Sequence, residues 1–198
     1  MVVKSSRPPD ELLGEFVRIA HRIVWCTLAT VDRRGRPRSR VVHPYWERTG
    51  DGVTGWVFTR PTPVKVAHLT RRPFVSCSYW DPAQEVAVAE CDAVLVDDAA
   101  TRRMVWDLFA AADEPLGYDP RILGSTDHLD PAITVLRMTP WRLATLTDAW
   151  QRAELSVSSA RWASPWSGLP ATGASGSGRA ARSAPAGSPR ARRTPGPG

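Results

Sequence analysis

Two cations, Arg60 and Lys65, bracket a segment whose residue types mark the start of a helix. Thr62 stands where an N-cap belongs, and Pro63 stands at the first helical position, where the missing N–H of proline is not needed. Positive side chains are disfavoured at that end, because the aligned peptide dipoles already make it positive. Two of them together make sense around an anion. A phosphate fits, held by free backbone N–H groups, by threonine hydroxyls such as that of Thr59, and by the two cations. A strand-to-helix turn with its charges in water would use the same residues, so spacing alone leaves both readings open. Lys65 stands out further because the chain has two lysines, Lys4 and Lys65, against 24 arginines.

The elements that must position these residues follow from periodicity and turn chemistry. Residues 53–59 alternate like a strand and lead into a helix over 62–70. Upstream, Leu12, Leu13, Phe16, Val17 and Ala20 recur at helical spacing after Pro8, Pro9 and Asp10, giving an amphipathic helix that ends near His21. Residues 23–30 read as a strand, 32–37 as a hairpin turn with Gly35 supplying positive φ, and 38–47 as the returning strand, in which Pro44 marks a bulge or an edge. Residues 74–80 and 85–96 are two further strands. Asp98 caps a second helix carrying Met104, Val105, Leu108 and Phe109. Residues 113–132 read as a long loop, and 133–138 and 141–147 as two closing strands around Pro140. Short strands joined by tight turns, with few helices, predict a mainly β fold: a small closed or nearly closed barrel.

The formal net charge of +6 suggests a polyanionic partner, but its distribution does not. Residues 1–150 hold 19 basic and 19 acidic side chains, and the whole excess lies in 151–198, with seven Arg and one Glu. The folded part therefore carries no electrostatic case for nucleic acid. From about residue 163 Ser, Gly, Ala, Pro and Arg dominate, a composition that predicts disorder. The expected organisation is an extension over 1–9, a domain over 10–150 and a tail over 151–198. Cys26, Cys77 and Cys91 lie far apart in apolar stretches, which points to buried thiols rather than disulfides or zinc. No metal site is expected, since Asp127-His128-Leu129-Asp130 lacks further ligands. With no signal-peptide core and no membrane-length apolar run, a cytoplasmic location away from membranes is the expectation.

The order of motifs resembles a known family. The strand 24–32, the turn Arg34-Gly35-Arg36-Pro37, the run Arg38-Ser39-Arg40-Val41-Val42-His43-Pro44, then Thr59-Arg60 with Lys65, Tyr79-Trp80 and Val86-Ala87-Val88-Ala89-Glu90 together resemble the pyridoxamine-5'-phosphate-oxidase-like flavin-binding superfamily, on the side of its general-stress and uncharacterised flavoproteins. The resemblance covers roughly residues 10–147. It implies a six-stranded antiparallel split barrel that works as a homodimer, with FMN at the interface. It also implies that Arg40, Val41, Val42 and His43 lie against the flavin ring, and that Thr59, Arg60 and Lys65 hold its phosphate. Trp80, Gln84 and Glu85 become candidates for a contribution from the second subunit, and Trp141 for a late aromatic near the ring.

A flavin carries its own redox chemistry, so the lack of a triad or a metal cluster does not count against an enzyme. The implied activity is that of a flavin-dependent oxidoreductase acting on an unknown small molecule. Two alternatives follow from the same resemblance: a reductase using the deazaflavin F420, whose charged tail suits a groove lined by Arg33, Arg34, Arg36, Arg38 and Arg40, and a flavin-binding stress protein without catalysis. Oxidation of a B6 vitamer is not expected, because the chain after Thr147 has no Arg-x-His pair.

Overall fold

The computed structural model describes residues 4–5, 9–50, 52–147 and 157–161 of the 198. Most of the extension expected over 1–9, the stretch 148–156 and the tail from 162 onward lie outside the described residues. In chain order the elements are β1 (Lys4–Ser5), α1 (Pro9–Ile23), β2 (Cys26–Val31), β3 (Pro37–Val42), β4 (Tyr45–Thr49), β5 (Gly52–Thr59), α2 (Pro63–Arg71), β6 (Phe74–Trp80), β7 (Val86–Val96), α3 (Ala99–Ala111), β8 (Thr134–Leu146) and β9 (Val157–Arg161).

The fold is mainly β, as the turn pattern predicts, but among the described residues the sheet has nine strands rather than six. Strands run side by side in the order β1-β9-β8-β7-β6-β2-β3, while β4 pairs with β5 and β5 with β8. All these pairings are antiparallel except β1 with β9. Part of the extra count comes from the run 38–47. Pro44 has no N–H for the ladder and restricts His43 before it, so the run breaks into β3 and β4 at that dipeptide. Around Pro140 the opposite happens. Residues 133–138 and 141–147 join into the single strand β8, with Trp141 as an extra residue where Glu90 pairs with Arg142 and Cys91 with Pro140. One edge of β8 follows β7. The other is shared, with β5 along its first half and β9 along its second.

Helix α1 covers the barrel. Leu12, Leu13, Phe16, Ile19 and Ala20 lie on one face and are at most 1% exposed. Each such apolar side chain contributes roughly 1.5–3 kcal/mol on burial. Phe16 meets the Trp46 ring edge-to-face at 4.9 Å, and the Trp46 indole N–H donates to the Tyr79 phenol oxygen at 2.7 Å. Gly55 lies beneath that indole, where a Cβ would come within 2.7 Å of the ring. The helix is also tied at its C-terminal end. Arg22 pairs with Asp81 at 2.5 Å, Arg18 pairs with Glu85 at 2.9 Å, and Arg22 reaches Glu85 as well. A second apolar cluster joins α3, through Val105 and Phe109, to Trp56, Phe58, Ile133 and Val135. The three cysteines are buried and unbridged.

Two features of this framework shape the functional region. Among the described residues no strand pairs with the outer edge of β3, so the backbone beyond β2's partner residues stays open along 37–42. The long loop after α3 is held by Arg102, which is buried and donates to the backbone carbonyls of His128 at 2.6 Å, Asp130 at 3.0 Å and Ile133 at 3.1 Å. Asp127 and Asp130 accept from backbone N–H groups within the same loop. No helix among the described residues is long and apolar enough to cross a membrane.

Candidate cofactor site

The end of β5, the start of α2, the outer edge of β3 and the loop after α3 enclose a cavity of about 500 Å³. Seven of the residues singled out from sequence line it: Arg40, Val41, Val42, His43, Thr59, Arg60 and Lys65. Each arrives from its expected part of the chain, His43 from the break between β3 and β4 rather than from inside a strand. The sequence reading left out the remaining wall, made of Trp25, Phe58, Pro115, Tyr118, Ile122 and Leu123. Most of these belong to the loop over 113–132, whose Asp, Gly and Pro content carries no periodicity to read.

The floor is cationic. Thr62 is the N-cap residue of α2 and Pro63 opens the helix, as expected, but the Thr62 hydroxyl makes no capping hydrogen bond. The first-turn N–H groups are thus not capped by that side chain. Lys65, 8% exposed, donates to the Arg60 carbonyl oxygen at 2.9 Å and to the Thr59 hydroxyl. Burial, reinforced by the positive charge of Arg40, pushes the Lys65 ammonium down from 10.5 to about 8. Arg40 is itself lowered, by burial and by Arg38. Its Nη2 donates to Thr30 at 3.1 Å, while its Nη1 is buried with no partner. Arg60 spans the rim and donates to the Leu123 carbonyl oxygen at 3.3 Å.

The opposite half is aromatic. His43 packs between Trp25 at 5.1 Å and Tyr118 at 4.9 Å, with Phe109 behind it at 5.9 Å. Burial holds its imidazole below the ordinary range, so the ring stays neutral, and its Nε2 is buried without a hydrogen bond. Trp25 reaches this position because Val24, at φ 69°, ends α1 in the left-handed region and turns the chain outward.

The other four candidates stand elsewhere. Trp80 is 57% exposed at the end of β6, and Gln84 sits at φ 63° in the turn to β7. Glu85 is engaged by Arg18 and Arg22, and Trp141 occupies the β8 bulge. None of them lines this cavity. Trp80 does share an outward face with residues that do. Thr27 is the cross-strand partner of both Val41 and Ser78, so Val41, 68% exposed, and Trp80, two residues beyond Ser78, lie on one apolar patch with Trp25.

A second hollow of about 630 Å³ lies against α2, lined by Asp32, Arg33, Arg36, Arg38, His68 and Arg71 among others. Asp32 is taken up by Arg36 and by two turn N–H groups, which hold its carboxyl at about 2. Arg33, Arg38 and Arg71 make no ion pair among the described residues, so the hollow is strongly basic.

An anionic group with a planar, partly apolar body fits the first cavity. Its charge would meet Arg40, Lys65, Arg60 and the α2 N-terminus, and its ring would lie between the open β3 edge and the aromatic wall. The orphaned guanidinium nitrogen and the desolvated ammonium are the specific signs of that fit, since both are costly without a counter-charge.

The sequence profile of the pyridoxamine 5'-phosphate oxidase family matches residues 12–146. No curated protein matches the chain. Among solved structures, a Clostridium acetobutylicum protein related to general stress protein 26 superposes with a TM-score of 0.60 at 14% identity, over 78% of this chain and 96% of that one. A pyridoxamine 5'-phosphate oxidase-related, FMN-binding protein from Nostoc punctiforme gives 0.52 at 16% identity, over 81% and 99%. General stress protein 26 of Bacillus anthracis gives 0.51 at 15%, over 68% and 91%. At these identities the likeness is one of fold, that of the split barrel.

Proposed function

The chain belongs to the pyridoxamine 5'-phosphate oxidase family, and on that premise we propose that it is a flavin-binding oxidoreductase that holds FMN by its phosphate in the 500 Å³ cavity. The observation that carries the reading is the pair of desolvated cations, Lys65 and Arg40, that line one cavity beside a helix start that Thr62 does not cap. Arg60 closes the rim over the same group, and Thr59 orients Lys65. The outward-facing backbone groups of alternate residues along the β3 edge at 40–42 suit the polar edge of the ring. Trp25, His43 and Tyr118 cover its body and keep water away. FMN, when bound, supplies the redox chemistry, by one- or two-electron transfer. The substrate is an unknown small molecule.

The working unit in this reading is a homodimer. The patch formed by Trp25, Val41 and Trp80 borders the cavity, and a second copy lying on it would cover exposed aromatics and bring its own Trp80 or Gln84 toward the ring.

The basic hollow beside α2 favours a second reading. A cofactor with an anionic tail, as in the deazaflavin F420, would leave the phosphate at Lys65 and run its tail along Arg33, Arg38 and Arg71. The visible spectrum of the purified protein tests both. A two-band yellow spectrum, with the mononucleotide released by heat, supports FMN. A colourless protein whose tryptophan fluorescence is quenched by F420 and not by FMN supports the second reading. Quenching by neither overturns the cofactor assignment.

A further inference from the structure

Thr30, fully buried on β2, joins two charged or ionisable side chains from different elements. Arg40 Nη2 donates to its hydroxyl oxygen at 3.1 Å, and the same oxygen lies 3.0 Å from His68 Nδ1. A guanidinium only donates, so the hydroxyl oxygen is the acceptor on that side. The single hydroxyl proton then has the Nδ1 lone pair within reach, and leaving it unpaired in the core is costly. The bonds therefore run in one direction, Arg40 to Thr30 to His68, with the imidazole as final acceptor. His68 is nearly buried on α2, three residues beyond Lys65, so both project from the same side of the helix.

We propose that Thr30 and His68 are positioning residues for the cofactor phosphate. They hold the Arg40 guanidinium by Nη2, which fixes its place in the cavity wall, and they lock α2 to β2, so that Lys65 approaches the same point. A guanidinium anchored at one nitrogen loses little further freedom when the ligand binds, and that pre-organisation raises affinity. Neither residue lines the cofactor cavity, so both act through Arg40 and Lys65. The proposal rests on the phosphate-clamp reading given above.

The test is FMN titration of the full chain as wild type, Thr30→Val, Thr30→Ser, His68→Phe, Arg40→Ala and Thr30→Val/Arg40→Ala, with a melting curve for each. Thr30→Val keeps the shape and removes the hydroxyl, and is expected to weaken FMN about tenfold. Thr30→Ser restores the hydroxyl and binds like wild type. In the Arg40→Ala background Thr30→Val adds no further loss, because the group it acts through is gone. His68→Phe reports from the other end of the chain should Thr30→Val fail to fold. Wild-type affinity in folded Thr30→Val and His68→Phe overturns the proposal, and so does a Thr30→Val loss that persists undiminished without Arg40. Failure of the wild type itself to bind FMN is a different result, and removes the cofactor reading on which the proposal rests.

Discussion

Lys65 donates to the backbone carbonyl oxygen of Arg60 at 2.9 Å, an arrangement that turns its ammonium back over the end of β5 and within the field of Arg40. Without a counter-charge its proton is lost near pH 8 instead of 10.5. A bound phosphate favours the protonated form, so above pH 8 binding takes up a proton and affinity falls as pH rises, by up to about tenfold per pH unit. FMN titrations between pH 7 and 9.5 should be flat to about 8 and decline beyond it. Lys65→Arg should flatten the profile, because the guanidinium stays charged.

The same shift sets the sign for the ligand-free protein. A lysine depressed on folding makes the unfolded chain bind more protons between pH 8 and 10.5, so stability rises across that window, and below it the buried charge is a constant cost. Lys65→Met should therefore raise the stability of the ligand-free protein at pH 7 by about 1–3 kcal/mol while reducing the stabilisation by FMN. Melting temperature with and without FMN checks both halves.

Removing both cations of the clamp, Arg60→Ala with Lys65→Ala, should weaken FMN by on the order of 3 kcal/mol or more, roughly a hundredfold in Kd. Near-normal affinity in the double variant would show that the phosphate sits elsewhere.

Tyr79→Phe strips the acceptor from the Trp46 indole and leaves its N–H unpaired in the core. The expected loss is about 1–3 kcal/mol, read from urea unfolding. FMN affinity should hold, since neither ring touches the cavity.

Trp80→Ser together with Val41→Glu should convert a dimer into a monomer in sedimentation velocity, with little change in the far-ultraviolet spectrum, since both side chains point outward. A monomeric wild type would remove the second copy from the functional reading.

Much of the cationic end of the cavity was legible because it rests on local signals. Thr62, Pro63 and the cations around them are neighbours in sequence, and the structure keeps them neighbours in space. Asp98 is equally local, accepting from Thr101 N–H as an N-cap. What escaped depends on contacts over long separations or on the absence of a pattern. Thr30 and His68 meet only when α2 docks on β2. Tyr118 and Leu123 sit in an aperiodic segment whose place is set by distant partners, the Phe109 carbonyl for the Tyr118 N–H and Arg60 for the Leu123 carbonyl. The length of β8 was hidden by Pro140, which reads as a break but is absorbed at a bulge. Nothing near Glu85 in sequence shows that α1 occupies it, because its partners Arg18 and Arg22 come from the far end of the chain.

Strand β8 also fixes when, during synthesis, the pocket can exist. Residues Gly55 to Thr59 find their antiparallel partners only in Thr134 to Met138, so the strand end that carries Thr59 and leads to Lys65 has an open flank until the last third of the domain has left the ribosome. Pairings of such separation form late and slowly. In the proposed reading a flavin would therefore meet a competent site only after translation of the barrel is complete, and cofactor supply would act on finished chains rather than on nascent ones.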